Sequence, residues 1–102
     1  MLELRHLRTL VALDQEGSLT GAARRVYLTQ SALSHQLRSL ESHYHTPIVT
    51  RTGRSLTLTR AGERLVALGR SLIAEIQAAE RDLAALSDKP AATLRIALEC
   101  HT

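Results

Sequence analysis

The side chains best suited to recognise another molecule lie in residues 18–38, SLTGAARRVYLTQSALSHQLR. Two short helical patterns occupy this segment, joined by about four residues. The second pattern has one apolar face and one face of mostly short hydrogen-bonding side chains, namely Gln30, Ser31, Ser34 and His35. A helix with such a face can lie in the major groove of DNA, where base edges offer donors and acceptors to side chains.

Arginines are frequent within this segment and just after it, whereas acidic residues are rare there. Between Ser18 and Arg60 there are six arginines and one acid, Glu41. From Ala61 onward, five basic residues meet six acidic ones. A basic middle and a near-neutral end indicate that only one part of the chain contacts a polyanion. The alternative interpretation of the charge alone is a solvated basic face with no partner.

Helical spacing predicts the elements that hold this segment in place. Leu4, Leu7, Leu10 and Val11 favour a first amphipathic helix that ends near Gly17, a residue suited to a C-terminal cap. Leucine and alanine dominate the apolar residues, which favours a mainly helical domain.

The second helix is expected to begin after Ser18, whose hydroxyl can accept a hydrogen bond from a free backbone N–H. One side of this helix carries mostly small residues that allow close packing, namely Leu19, Ala22, Ala23 and Val26. Tyr27 and Leu28 should form the turn, and Thr29 is a good N-cap for the third helix.

The third helix has a core stripe of Leu33, Leu37, Leu40 and Tyr44 and should end before Pro47. The segment that follows, IVTRTGRSLTLT, favours extended chain on both sides of a turn. We therefore expect a small two-stranded wing that carries Arg51 and Arg54 near its tip. A flexible loop is the alternative.

Thr59 is a suitable cap for a long fourth helix that runs from about Arg60 to Ser87. Its apolar stripe steps by three and four residues and consists of Leu65, Leu68, Leu72, Ile76, Ala79, Leu83 and Leu86. This spacing is typical of a helix–helix seam. A second copy of the chain is the expected partner, and packing against the chain's own domain is the alternative.

Three regions follow from these elements. Residues 1–58 form the three helices and the wing, residues 59–88 form the long helix, and residues 89–102 form a hinge and the first strand of a further unit. The strand prediction rests on the alternating segment TLRIAL, residues 93–98. Because this predicted strand has no partner strand in the sequence, we expect a further domain to follow it.

Several classes of function lack support in the sequence. No serine–histidine–aspartate arrangement, glycine-rich phosphate loop or paired-carboxylate motif indicates an enzyme. Two clusters, His43–His45 and Cys100–His101, fall short of the four ligands of a usual zinc site, so no metal is expected. Sequence-specific RNA modules usually offer aromatic stacking platforms, and we expect both tyrosines in or near the core. No apolar run approaches a membrane span.

Taken together, these motifs resemble the N-terminal domain of LysR-type transcriptional regulators. The likeness rests on GSLTGAARRVYLTQSALSHQLRSLE, on the following R-x-x-R, and on LTLTRAGERL, and it covers residues 1–88. It implies a mainly α fold, a winged helix-turn-helix of three helices and a two-stranded wing followed by a dimerising linker helix. It also implies binding to double-stranded DNA with an interrupted inverted repeat, a homodimer through linker helices, and tetramers of full-length chains.

The resemblance also assigns roles to individual residues. Gln30, Ser31, Ser34 and His35 match the positions that reach base edges in the family. Contacts to the DNA backbone are implied for Ser18, Arg24, Arg25, Thr29, Arg38, Arg51 and Arg54. The apolar stripe of the fourth helix matches the dimer interface.

Three positions depart from the family pattern. Many members carry arginine where this chain has His35, which exchanges a fixed positive charge for an imidazole ring. The usual glycine after the third helix is His45, a residue tolerated at positive φ. The usual phenylalanine of the wing is Val49, so the wing should have a smaller anchor.

Within the family, HLRTLVAL, TQSALSHQL and the terminal LRIALECHT are most similar to regulators of methionine biosynthesis. That resemblance implies homocysteine as effector of the full-length protein, no cofactor in these residues, contact with RNA polymerase, and a bacterial cytoplasmic, nucleoid-associated location. The alternatives are a regulator of another pathway in the same family, or a helical dimerisation module that does not bind DNA.

Overall fold

A computed structural model describes residues 2–52 and 55–87 of the chain. In chain order its elements are α1 (Leu4–Glu16), α2 (Leu19–Arg25), α3 (Gln30–Tyr44), β1 (Val49–Thr52), β2 (Ser55–Leu58) and α4 (Arg60–Leu86). The expected mainly helical architecture, three helices with a two-stranded wing and a long fourth helix, is confirmed. The boundary between two compact units falls within α4, between Ser71 and Leu72. The expected hinge and strand of residues 89–102 lie outside the described residues.

Local capping places the helix ends where the sequence predicts them. Gly17 adopts a left-handed conformation (φ 71°) and its N–H donates to the carbonyl of Leu13. Ser18 accepts from the N–H of Gly21 at 3.1 Å, and Thr29 accepts from the N–H of Ala32 at 3.1 Å. The Gly17 bond satisfies a carbonyl in the last turn of α1, and the two hydroxyls satisfy N–H groups that have no partner within their helices.

Within residues 2–52 and 55–87, two residues other than glycine have positive φ. His45, at 53°, ends α3 as expected from the sequence, and its N–H donates to the carbonyl of Glu41. Tyr27, at 59°, lies in the turn between α2 and α3 and was not anticipated. A left-handed conformation costs such residues on the order of 1 kcal/mol, so the surrounding helices hold both turns.

The core lies among α1, α2 and α3. Leu10, Leu33 and Leu40 are almost fully buried, and Ala22 and Ala23 are buried where α2 packs closely. The alanine pair on the second helix therefore occupies the tight contact that its small size predicted.

The expected burial of the two tyrosines is wrong. Tyr44 is 45% exposed because the last turn of α3 extends beyond the core, and its ring meets the ring of His43 edge-on at 4.7 Å. Tyr27 is 94% exposed because the turn places it at the surface. Three leucines, rather than three leucines and a tyrosine, form the buried stripe of α3.

The wing is an antiparallel pair of strands, not a flexible loop, over residues 49–52 and 55–58. Val49 faces Leu58 and Thr52 faces Ser55 in its register. Ile48, immediately before β1, is 2% exposed and anchors the wing in the core. Gly53 and Arg54, at the expected tip, lie outside the described residues.

Hydrogen bonds to backbone attach the wing to α3 and α4. The Glu41 carboxylate accepts from the N–H groups of Ile48 at 2.7 Å and Val49 at 3.3 Å. Thr59 donates its hydroxyl proton to the carbonyl of Pro47 at 2.7 Å and accepts from the N–H of Gly62 at 3.2 Å. The N-cap expected at Thr59 is therefore confirmed and also joins the wing to α4.

Two buried glycines bring α4 close to its neighbours. A Cβ on Gly62 would collide with the carbonyl oxygen of Ile48, and a Cβ on Gly69 would lie 3.0 Å from Val11 Cγ2 and 3.2 Å from Leu7 Cβ. Glycine costs about 1 kcal/mol relative to alanine inside a helix. Close approach, rather than helix propensity, explains both positions.

His6 is a buried histidine at the start of α1. It is 2% exposed, and its Nδ1 accepts from the backbone N–H of Glu3 at 3.0 Å. Burial, followed by the positive charge of Arg5, lowers the pKa of His6 below its ordinary value, against the opposing influence of Glu3. The neutral ring therefore caps the first helix, because a protonated Nδ1 cannot accept the bond.

We expect Gly62→Ala to lower the free energy of unfolding by about 1–3 kcal/mol, since the added methyl meets a backbone carbonyl that cannot rotate away. Gly21→Ala is the matched control, because the atoms nearest its new Cβ belong to the exposed Glu16 and to Ser18. Urea unfolding of both variants measures the difference. A Gly62→Ala variant as stable as the control would contradict the close contact.

We expect the folded chain to lose stability as the pH falls from about 7.5 through the ordinary histidine pKa of about 6.5. The unfolded chain then takes up a proton that folded His6 resists, and the loss levels off below the lowered pKa of the folded state. Unfolding free energies between pH 7.5 and 5 measure this dependence. His6→Gln should reduce it, since glutamine can accept the same capping bond.

His43→Gln is the matched control for this experiment, because His43 is exposed. An unchanged pH dependence in His6→Gln, or an equal reduction in both variants, would rule out His6 as the source.

Candidate nucleic-acid interface

The polar residues of α3 lie on the surface, opposite its buried leucines. Gln30, Ser31 and His35 are exposed, and Ser34 is half-buried. Leu33, Leu37 and Leu40 fill the core from the other side of the same helix. Packing therefore determines which face of α3 reaches solvent, and that face carries the residues selected from the sequence.

The Gln30 side chain is held by a residue that the sequence did not single out. Its Nε2 donates to the hydroxyl oxygen of Thr20 at 2.9 Å, from the first residue of α3 to the first turn of α2. Thr20 is exposed and ten positions away, so no periodic pattern connects the two residues. Only the packing of α2 beside α3 brings them together.

The exposed arginines differ in whether they already have an acidic partner. Arg24, Arg38 and Arg51 are exposed and form no ion pair within residues 2–52 and 55–87. Arg25, in contrast, pairs with Glu16 at 2.8 Å. The first three therefore present full charges to a polyanion, whereas Arg25 must share or leave its carboxylate partner to do so.

Two of the predicted backbone contacts, Ser18 and Thr29, have hydroxyls with structural roles at helix N-termini. Ser18 and Thr29 each accept a backbone hydrogen bond as N-caps. A hydroxyl that accepts still has its own proton to donate. Each can therefore cap its helix and donate to a phosphate oxygen at the same time.

Glu41 is turned towards the wing backbone. It is the one acid between Ser18 and Arg60, and its carboxylate accepts the two N–H groups at the start of the wing. Although Glu41 belongs to α3, its carboxylate forms its hydrogen bonds at the start of the wing. This leaves the arginines around α3 without a competing carboxylate from that helix.

The apolar stripe of α4 differs from the face that packs on the core. The buried residues of α4 are Gly62, Val66 and Gly69. The stripe is half-buried or exposed, with half-buried Leu65, Leu68, Leu72 and Ile76, and exposed Ala79, Leu83 and Leu86. Leu83 is 50% and Leu86 is 83% exposed. The residues of the stripe are thus more exposed than the three buried residues of the same helix.

Two other kinds of site receive no support from the described part of the chain. Within it, no group of three potential metal-ligating side chains comes together. The ring of His43 contacts Tyr44, and Cys100 and His101 lie outside the described residues. Among the described helices, none is both long and apolar enough to cross a membrane.

Residues 4–63 match the family model described as bacterial regulatory helix-turn-helix protein, lysR family. The HTH-type transcriptional regulator MetR of Haemophilus influenzae is 50% identical over 101 residues, which cover 99% of this chain and 33% of that protein. MetR of Salmonella typhimurium is 40% identical over 102 residues, covering 100% of this chain and 31% of that protein. The chain spans about a third of the length of these relatives.

A solved structure shows the same arrangement of helices and wing. The complex of the BenM DNA-binding domain with benA site 1 DNA superposes with a TM-score of 0.74 at 28% sequence identity. The match covers 84% of this chain and 100% of that domain. The similarity therefore includes a complete domain whose structure was determined with bound DNA.

Proposed function

This chain belongs to the LysR family of bacterial regulatory helix-turn-helix proteins, and we propose that it binds double-stranded DNA through α3 as part of a MetR-like transcriptional regulator. The matched family and relatives are regulators, not enzymes. The observation that carries the proposal is the exposed polar face of α3, held outward by three buried leucines on the other side.

In the proposed complex, α3 lies in the major groove and its side chains discriminate among bases. Glutamine can pair bidentately with adenine, and serine can bond to several bases. Gln30, Ser31, Ser34 and His35 are therefore the proposed base contacts. Each good bidentate pair contributes on the order of 1–3 kcal/mol of discrimination.

The arginines supply affinity that does not depend on sequence. Arg24, Arg38 and Arg51 have no acidic partner in the described chain and are the stronger candidates for phosphate contacts. The proposed backbone set also includes Ser18, Arg25, Thr29 and Arg54. Each phosphate-contacting charge should contribute about one unit to the slope of log K against log salt.

A homodimer formed through the stripe of α4 would present two copies of α3 to two half-sites. The support is an apolar series on α4 that the single chain leaves half-buried or exposed. Two-fold symmetry in the protein matches an inverted repeat in the DNA. Tetramers of full-length chains and contact with RNA polymerase belong to the same proposal for the whole protein.

Similarity to MetR supports control of methionine biosynthesis genes. A location in the bacterial cytoplasm, at the nucleoid, belongs to the same proposal. Homocysteine is the proposed effector, and it would bind outside the described residues. Selection of duplexes from a random pool tests the assignment, because it yields the operator sequence and its symmetry together. Regulation of another pathway by the same domain is the competing outcome.

Gln30→Ala should reduce the preference for the selected duplex over single-base variants by about 1–3 kcal/mol while it changes binding to random DNA less. Arg51→Ala should weaken binding to the selected duplex and to random DNA alike. It should also reduce the slope of log K against log salt by about one unit. Fluorescence anisotropy titrations at several salt concentrations measure both effects.

Arg81→Ala, at an exposed position late in α4, is the control and should leave both titrations unchanged. Equal effects of Gln30→Ala and Arg51→Ala on selected and random DNA would contradict the division between base and backbone contacts.

Leu72→Asp and Ile76→Asp should each convert the dimer into a monomer, since a buried unpaired carboxylate costs several kcal/mol. Multi-angle light scattering measures the mass of each variant. Gln77→Asp places the same charge at an exposed position of α4 and should remain dimeric. A monomeric wild-type chain at high concentration would show that the stripe is no interface.

A further inference from the structure

The contact between Gln30 and Thr20 joins a proposed base-reading residue to a neighbouring helix. Gln30 is the first residue of α3, and Thr20 is the second residue of α2. Both side chains are exposed, yet the Gln30 Nε2 donates to the Thr20 hydroxyl oxygen at 2.9 Å. A glutamine at a helix start otherwise has several rotamers open to it in solvent.

We propose that Thr20 is a specificity-determining positioning residue, whose hydroxyl holds the Gln30 amide in the orientation that selects adenine. The inference rests on the proposed function, in which α3 enters the major groove and Gln30 reaches a base edge. It adds a second residue, outside α3, to the determinants of base preference.

The donors and acceptors of the amide explain why adenine is favoured. A glutamine amide has one acceptor oxygen and two N–H hydrogens. The Thr20 hydroxyl accepts one hydrogen, so Oε1 and one hydrogen remain. Adenine offers the N6 donor and the N7 acceptor in the major groove, which match that pair, whereas guanine offers two acceptors, O6 and N7.

Thr20 is well anchored for this role. Its helix is capped by the bond from the N–H of Gly21 to Ser18 and is packed on the core by Ala22 and Ala23. Threonine has a restricted χ1 because it branches at Cβ. The hydroxyl therefore has a defined position relative to α3, which is capped separately at Thr29.

The bond should matter to recognition rather than to folding. In the free protein both side chains are exposed, so water competes with the contact and its net contribution to stability is small. A DNA duplex that covers α3 excludes this water, and hydrogen bonds are stronger where water is absent. Loss of the hydroxyl should therefore change base preference without changing the unfolding midpoint.

The test compares wild type, Gln30→Ala, Thr20→Val and Thr20→Ser on the same fluorescein-labelled duplexes. The duplex that wild type selects from a random pool is the reference, and single-base variants replace each selected base in turn. Gln30→Ala identifies the base that Gln30 contacts, because the preference for the selected base at that position should fall about tenfold or more. This base should be adenine.

At that same base, Thr20→Val should reduce the preference for adenine over guanine by about two- to tenfold, with other positions unchanged. Thr20→Ser keeps the hydroxyl and should retain at least half of the wild-type preference. Thr46→Val is the matched control, because it removes another exposed threonine hydroxyl. Thr46 lies beyond the opposite end of α3, and its hydroxyl donates to the carbonyl of Tyr44. Thr46→Val should leave every base preference unchanged.

The outcomes separate this inference from the function on which it rests. If Gln30→Ala alters no base preference, the proposed role of Gln30 fails and the inference fails with it. If Gln30→Ala abolishes a preference that Thr20→Val retains, only the inference is overturned. If Thr20→Val weakens binding to all duplexes alike, Thr20 contacts the DNA backbone and the proposal is overturned. If Thr20→Val lowers the unfolding midpoint, the role of Thr20 is structural and the proposal is likewise overturned.

Discussion

The buried leucine stripe of α3 is the constraint on which the candidate interface depends. Leu33, Leu37 and Leu40 must leave water together, and burial of a leucine side chain contributes about 1.5–3 kcal/mol. A helix that satisfies this requirement has no freedom to rotate about its axis. The exposed residues Gln30, Ser31 and His35 are therefore held outward.

The charges around α3 are arranged by neighbouring elements. Glu41 gives its carboxylate to the backbone at the start of the wing, and Glu16 pairs with Arg25. Arg24 and Arg38 keep unpaired charges in the described chain. The carboxylate of Glu41 thus joins the wing to α3. The surface proposed to contact phosphate is therefore more uniformly positive.

The fourth helix has two faces with different surroundings in the single chain. Glycine at positions 62 and 69 lets its N-terminal half approach the wing and α1 closely, where a methyl group would collide or crowd. The leucine-rich stripe is left partly or fully exposed in the single chain. Close packing within the domain and an apolar surface for the proposed second copy can therefore coexist on one helix.

Local chemistry allowed the sequence by itself to determine most elements of this protein. Helical spacing, the caps at Gly17, Ser18, Thr29 and Thr59, and the extended residues before and after the wing turn all act within a few positions of the chain. The side of α3 that is exposed also followed, because its apolar residues have one period and one face. The tertiary structure alone decided the features that join distant residues: the Thr20–Gln30 bond, the destination of Glu41, and the glycine contacts of α4. Sequence reasoning misplaced the tyrosines for the same reason, since periodicity gives a face of a helix but not where the core beneath it ends.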